Sequence, residues 1–300
     1  MEDEARKVLA RIPALAGYAG ALERMGGLTN AVFRAGDTVL RLPGKGTEEY
    51  IDRANEAAAA RAAAEAGVSP EVLYVDPATG VMVTRHIDAT VTMTPEAFRA
   101  RPGAPGRAGR AFRQLHTSGA MFPARFELFS MIDEYLKLLS TKDVALPEGY
   151  HDVVAEAEGV RAALERHPLP SVACHCDPLC ENFLDTGERM WIVDWEYSGM
   201  NDPMWDLGDL SVEGGFGAEQ DEEMLAAYFG GPVPAEDRAR MVIYKAMCDL
   251  LWTLWGLIQL ANDNPADDFK AYAEGRFARC KALMATEEFA RQVAVLGAEG

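Results

Sequence analysis

Residues 175–194 contain the stretch that decides the fold: His175-Cys-Asp177-Pro-Leu-Cys-Glu-Asn182, followed shortly by Ile192-Val-Asp194. Asp177 and Asn182 stand on a predicted loop between short strands, and Asp194 ends the next strand, beyond a turn at 185–188. A hairpin of these strands would bring the three side chains to one end of a sheet. Their oxygen atoms are the hard ligands that Mg²⁺ prefers. The spacing therefore predicts that these oxygen atoms meet at one site that suits Mg²⁺.

The chain before this stretch differs in pattern from the chain around and after it. Up to residue 88, short β-type runs form two predicted hairpins, 31–34 with 39–42 and 72–75 with 81–84, on either side of a helix at 50–66. Beyond residue 88 helical periodicity dominates, with segments at 107–118, 130–140, 152–166, 219–229, 235–260 and 266–284. Residues 1–12 also have a helical pattern, and 102–106 are predicted to be a loop.

These patterns predict an α+β fold with two lobes. Residues 1–88 would form a small β-rich N-lobe and residues 89–300 a large helical C-lobe, with a hinge near 85–88. Ligand sites tend to lie in the cleft between two such lobes. We therefore expect the active site between the sheet of the first lobe and the helices of the second.

The composition limits which partners are expected. The chain of 300 residues has a formal net charge of −18, which argues against binding to nucleic acid or to anionic membranes. The N-terminus lacks the pattern of a signal peptide, and the most apolar stretch, 250–261, is too short to span a bilayer. Five cysteines in an odd count suit a reduced, cytoplasmic protein. The spacing around His175 does not match a structural zinc site.

The order His-x-Asp-x-x-x-x-Asn, then an apolar pair and Asp, resembles the catalytic and metal-binding loops of protein-kinase-like phosphotransferases, which include aminoglycoside phosphotransferases and choline kinases. The resemblance implies that Asp177 is the catalytic base and that Asn182 and Asp194 hold Mg²⁺. It also implies that His175 supports the loop. ATP would be the phosphoryl donor. Phosphoryl transfer needs few protein groups beyond these, because positioning and charge neutralisation carry most of the catalysis.

Three further segments resemble the choline/ethanolamine kinases in particular. They are Asp194-Trp-Glu196-Tyr197-Ser-Gly199 with Trp205-Asp206-Leu-Gly208 after it, then Leu251-Trp252-Thr-Leu-Trp255, and finally Tyr272-Ala-Glu-Gly-Arg-Phe277. One position departs from the family, since many members have Gln two residues after the catalytic Asp and this chain has Leu179. That departure bears on substrate specificity.

The resemblance implies a pocket for a small cationic amino alcohol, with choline as the expected substrate. A trimethylammonium group cannot donate a hydrogen bond and is held by aromatic faces and nearby carboxylates. Trp252 and Trp255 are three residues apart and share a helix face. Seven residues after Asp206, Glu213 occupies the position of the family's acid. The expected substrate-binding residues are Glu196, Tyr197, Glu213, Trp252, Trp255 and Tyr272.

The nucleotide-binding residues are expected on the N-lobe. The segment Gly26-Gly27-Leu-Thr29-Asn30 resembles the glycine loop of choline kinases, where backbone approaches phosphates. On the strand 39–42, alternation places Arg41 on the face opposite Leu40, as suits a phosphate-binding cation. The resemblance implies that Glu56, on the following helix, pairs with Arg41.

Two kinds of alternative remain open at this stage. The same fold could phosphorylate ethanolamine, thiamine or an aminoglycoside, although two tryptophans favour a quaternary ammonium. A catalytically silent pseudokinase acting as a binding module is an alternative of another class, but the base and both metal-binding residues are present. Choline kinases are often homodimers, which implies the same for this chain without identifying a surface.

Overall fold

The computed structural model describes residues 2–13, 15–25, 30–44 and 51–297. Its N-terminal part is an antiparallel sheet of five strands in the order β1-β2-β3-β5-β4, accompanied by two helices. The strands are β1 (Leu22–Arg24), β2 (Ala31–Ala35), β3 (Thr38–Leu42), β4 (Val72–Asp76) and β5 (Val81–Arg85), and the helices are α1 (Glu2–Leu9) and α2 (Arg53–Glu65).

The two faces of this sheet have different surroundings. Leu40 and Leu42 of β3 are buried in an apolar cluster that also contains Leu9 of α1. Arg41 lies between them in sequence and therefore points to the opposite face. Helix α2 begins after Asp52, whose carboxylate accepts the backbone N–H groups of the first helical turn. The sheet thus presents Arg41 on the side where α2 lies.

The larger C-terminal part consists of nine helices and five short strands within the described residues. The helices are α3 (Pro95–Ala100), α4 (Ala104–His116), α5 (Leu128–Leu139), α6 (Tyr150–Arg166), α7 (Pro203–Glu213), α8 (Ala218–Phe229), α9 (Ala235–Ala261), α10 (Phe269–Met284) and α11 (Glu287–Gly297). The strands are β6 (Val91–Thr92), β7 (Val172–Cys174), β8 (Phe183–Asp185), β9 (Met190–Ile192) and β10 (Gly199–Asn201), and they form the small sheets β6-β8-β9 and β10-β7.

Helix α9 is the centre of the helical lobe. It has 27 residues and packs against α5, α7, α10 and α11. By length and composition alone it could cross a membrane, but 83% of its most apolar window is buried inside the protein. Two glycines permit close helix contacts, because a Cβ on Gly208 would lie 2.8 Å from the Met241 carbonyl oxygen and one on Gly256 would lie 2.6 Å from the Tyr272 ring. These contacts bring α7 and α10 against α9.

The predicted hairpins and long helices are present in the structure, with one correction. The segment 102–106 is not wholly a loop, because α4 begins at Ala104. Pro105 stands in the first turn, where a missing N–H breaks no helical hydrogen bond. The sequence patterns did not predict β1, β6, β10, α3, α7 or α11. The lobe boundary at residue 88 stays a prediction.

Candidate active site

The loop that carries Asp177 is hydrogen-bonded through its backbone to a buried carboxylate. Asp206, near the start of α7, accepts the backbone N–H groups of His175 and Cys176, each at 2.8 Å. Its Oδ2 also lies 3.0 Å from Nε2 of His116, whose other ring nitrogen lies 3.0 Å from the Tyr228 hydroxyl. Asp206 and His116 are both buried. The loop backbone is therefore fixed by a network within the helical lobe.

The imidazole of His175 links this loop to the strand end that carries Asp194. Its Nε2 lies 2.9 Å from the Val193 carbonyl oxygen, and its ring packs edge-on against Trp195. Burial lowers the pKa of His175, so the ring is neutral and Nε2 donates its hydrogen to the carbonyl, which can only accept. The structure thus places His175 where it supports the loop.

The three residues expected to act on phosphate lie together. The side-chain Nδ2 of Asn182 donates to the Asp177 carbonyl oxygen at 3.0 Å, which leaves the amide oxygen out of this bond. The Val193 N–H donates to the Asn182 carbonyl oxygen at 2.9 Å and so holds Asp194 alongside. Burial, followed by the charge of Glu213 and then Asp194, raises the pKa of Asp177 well above its usual range.

An ion-pair network joins the N-lobe to the Asp194 strand end. Arg41 pairs with Glu56, as the family resemblance implies, and also with Asp194 at 2.9 Å. Arg53 of α2 pairs with Glu56 at 2.9 Å and with Glu196 at 3.3 Å. Burial and then the Asp194 charge raise the pKa of Glu196 to about 8.

The same acids form a set that fits a divalent cation. Carboxylate oxygens of Glu56, Asp194 and Glu196 lie within 4.8 Å of one another. Hard oxygen donors at this spacing suit Mg²⁺. In the structure, however, Arg41 and Arg53 already pair with all three of these carboxylates. Glu196, expected on the substrate side, thus faces the ion-pair network, and a role for it toward substrate stays a prediction.

The expected glycine loop falls largely outside the described residues. Gly26, Gly27 and Thr29 belong to that gap. Asn30 is described and buried at the start of β2, and its side-chain oxygen accepts the Gly44 N–H at 3.2 Å. In this structure Asn30 ties β2 to the end of β3, and its contact with a nucleotide stays a prediction.

The four expected aromatic residues form one contiguous group. The indole N–H of Trp255 donates to the Tyr197 hydroxyl at 3.0 Å, and the Tyr197 ring packs edge-on against Trp252. Trp255 also packs edge-on against Tyr272, with ring centroids 5.7 Å apart. Trp252 is 4% exposed, whereas the other three are partly exposed. The group supplies several aromatic faces and edges in the helical lobe.

The structure adds charged residues that the sequence patterns did not indicate. Arg276 of α10 pairs with Glu213 and with Asp249, and its guanidinium lies 4.8 Å from the Tyr272 ring centroid. Asp209 of α7 accepts the Trp252 indole N–H at 3.2 Å. The sequence alone places Arg276 one helical turn after Tyr272. It does not indicate the acidic partners of Arg276, because they lie on other helices.

The known proteins that this chain resembles are phosphotransferases and kinases. Residues 21–244 match the phosphotransferase enzyme family. A crystal structure of a choline/ethanolamine kinase family protein from Mesorhizobium loti is 74% identical, covers 98% of each chain and superposes with a TM-score of 0.93. The choline kinase LicA from Streptococcus pneumoniae is 25% identical over 94% of this chain and 99% of its own, with a TM-score of 0.78. Protein LicA of Haemophilus influenzae is 25% identical over 78% of this chain and 89% of its own. These matches confirm the expected two-lobe, kinase-like fold.

Proposed function

The chain belongs to the choline/ethanolamine kinases within the phosphotransferase enzyme family and is an ATP-dependent alcohol kinase, and on this premise we propose that choline is its substrate and phosphocholine its product. One observation supports the proposal most strongly. Asp177 is influenced by charges from two different environments, that of Asp194 in the ion-pair network with Arg41 and that of Glu213, whose partner Arg276 lies over the Tyr272 ring. Phosphate chemistry suits the first environment, and a methylated ammonium suits the second.

We assign the base to Asp177. Its carboxylate would accept the proton of the substrate hydroxyl as the phosphoryl group arrives. Burial and neighbouring acids raise its pKa, which favours the protonated form more than in an ordinary aspartate. A cationic substrate beside it would shift the balance back toward the carboxylate. The substrate's own charge would therefore activate the group that deprotonates its hydroxyl.

The remaining assignments concern ATP and its metal. A bound Mg²⁺ would supply positive charge that offsets the phosphate charge developing during transfer. Asn182 and Asp194 would hold it, since both offer oxygen ligands beside Asp177. Glu56 fixes the guanidinium of Arg41 at the same place, where it would meet phosphate oxygens. The cytoplasmic location and a homodimer stay predictions.

Turnover tests this proposal. ATP consumption would be measured with Mg²⁺ against choline, ethanolamine, thiamine and kanamycin, with a chelator in parallel. We expect choline to be turned over, thiamine and kanamycin to give no more than background, and the chelator to abolish activity. Turnover of thiamine or kanamycin above choline would contradict the substrate assignment. Binding of ATP without turnover of any alcohol would favour the pseudokinase alternative.

A substitution of Trp252 tests the aromatic group. Trp252→Ala removes an indole that packs against Tyr197, so it should raise the KM for choline about ten- to thirty-fold while the KM for ATP changes little. Steady-state kinetics with each substrate varied in turn give both constants. Trp252→Phe keeps an aromatic face and should recover most of the affinity for choline. Equal changes in both KM values would show that Trp252 serves only to pack the core.

A further inference from the structure

One buried side chain of the N-lobe bonds to the helical lobe at two points. Asn55 stands in the first turn of α2 and is 7% exposed. Its Nδ2 donates to the Ser198 carbonyl oxygen at 2.8 Å, and its Oδ1 accepts the Ala124 N–H at 3.0 Å. A carbonyl can only accept and a backbone N–H can only donate, so these two partners fix which way the amide points. Asn55 therefore links α2 to two segments of the helical lobe.

The two segments that this amide joins are bonded to each other and to the catalytic loop. The Met200 N–H donates to the Ala124 carbonyl oxygen at 2.8 Å, which holds the two segments side by side. The Ser198 hydroxyl donates to the His175 carbonyl oxygen at 3.1 Å, two residues before Asp177. The first turn of α2 is thus attached to the same part of the helical lobe that carries the loop of the expected base.

On the N-lobe side, Asn55 is next in sequence to the acid that pairs with Arg41. Glu56 pairs with Arg41 and with Arg53. Arg41 in turn reaches Asp194 at 2.9 Å. A displacement of the first turn of α2 would move the Glu56 carboxylate, and the guanidinium of Arg41 would lose the partner that orients it. The place of Arg41 in the cleft therefore depends on where this turn lies.

The residue type at this position is explained by the two bonds and not by the helix. Seven of the eight residues 57–64 are alanine, which is the best helix former, whereas asparagine is a poorer one. A buried amide is also costly unless both of its ends are hydrogen-bonded. Asn55 meets that condition only through partners in the helical lobe. Its place in α2 thus serves the connection between the lobes.

We propose that Asn55 is a positioning residue for phosphoryl transfer, which fastens the first turn of α2 to the helical lobe and so holds Glu56 where Arg41 meets the phosphates of ATP. Asn55 acts through Glu56 and Arg41 and does not itself touch the nucleotide. The inference rests on the proposed assignment of Arg41 to ATP and deepens it. Loss of the link should therefore weaken the interaction with ATP much more than the interaction with the alcohol.

The variant Asn55→Ala tests the link without weakening the helix itself, because alanine is the better helix former. It removes both bonds and leaves the Ser198 carbonyl and the Ala124 N–H without their partner. We expect KM for ATP to rise about ten-fold or more, since lost buried bonds and a displaced binding group each cost factors of this size. KM for choline should stay within about two-fold. Steady-state kinetics with each substrate varied in turn give both constants.

Two further variants separate positioning from packing and from a general loss of stability. Asn55→Leu fills the space of the amide but makes neither bond, so it should raise KM for ATP as Asn55→Ala does. Tyr150→Phe is the matched control, because Tyr150 is 1% exposed and its hydroxyl donates to the Leu250 carbonyl oxygen at 2.7 Å within the helical lobe. This variant also loses a buried bond, yet both KM values should stay unchanged. Equal changes of the two KM values in Asn55→Ala, or a normal KM for ATP in Asn55→Leu, would overturn the inference.

A binding measurement separates this inference from the proposed function, because it needs no alcohol. Calorimetric titration with AMP-PNP and Mg²⁺ should show an affinity about ten-fold lower for Asn55→Ala and unchanged for Tyr150→Phe. Unchanged affinity in Asn55→Ala, with choline turned over by the wild-type enzyme, would overturn the role of Asn55 and leave the proposed function intact. Failure of the wild-type enzyme to turn over choline would contradict the proposed substrate alone, and the titration would still decide the inference.

The wild-type protein decides the matter if neither Asn55 variant folds. Hydrogen exchange measured by NMR reports on the Ala124 amide, which donates to the Asn55 side chain. We expect this amide to be protected to the same extent with and without AMP-PNP, because the link fastens α2 in both states. Rapid exchange in either state would overturn the inference.

Discussion

Replacing Asp177 with alanine is expected to lower kcat about 100- to 10,000-fold, which is the usual effect of losing a general base. The fold should survive. Among the described residues no ion pair involves the Asp177 carboxylate, and the loop is held through the backbone N–H groups of His175 and Cys176. Steady-state turnover of the purified variant gives its kcat, and thermal unfolding shows whether the fold survives.

The same loop offers a matched control. Glu181 is an exposed acid four residues after Asp177. Glu181→Ala removes one negative charge without touching the cleft, and we expect its kcat to stay within about two-fold of wild type. If Asp177→Ala retained more than a tenth of the wild-type kcat, the assignment of the base would be wrong.

Asp206→Ala should have the largest effect on stability. Asp206 is 0% exposed, and its carboxylate accepts hydrogen bonds from two loop N–H groups. Its Oδ2 also lies 3.0 Å from Nε2 of His116. Its removal leaves these buried donors unpaired, at about 1–3 kcal/mol each. We expect the free energy of unfolding to fall by about 3 kcal/mol or more, and kcat to fall with it because the loop loses its anchor. Urea unfolding and turnover measure the two effects.

A surface acid provides the comparison for Asp206. Glu219 is exposed at the start of α8, and Glu219→Ala should change stability by no more than about 0.5 kcal/mol. A loss below about 1 kcal/mol in Asp206→Ala, together with unchanged turnover, would mean that these hydrogen bonds do not hold the loop.

Much of the site was predictable because its signals are local in sequence. The spacing of Asp177 and Asn182 lies within one loop, and alternation along β3 places Arg41 on the face that meets Glu56. The pair Trp252 and Trp255 shares a helix face for the same kind of reason. Their proximity to Tyr197 and Tyr272 followed from the family resemblance and is present in the structure.

Other features could not be read from local spacing. Asp209 and Arg276 are functional candidates only because α7, α9 and α10 pack together, and their partners are distant in sequence. The His116–Asp206 contact likewise joins residues 90 positions apart. Helix α7 did have a local signal that was missed: Asp202 caps its first turn, and Pro203 follows at the first helical position.

The assignment as a choline kinase is tested most directly by identifying the product. Choline, ATP and Mg²⁺ would be incubated with the enzyme and with the Asp177→Ala variant, and the reaction followed by phosphorus NMR. The account predicts a phosphomonoester signal from phosphocholine that grows as the γ-phosphate signal of ATP declines, with the variant slower by orders of magnitude. Release of inorganic phosphate alone, or no loss of ATP in the presence of choline, would contradict it.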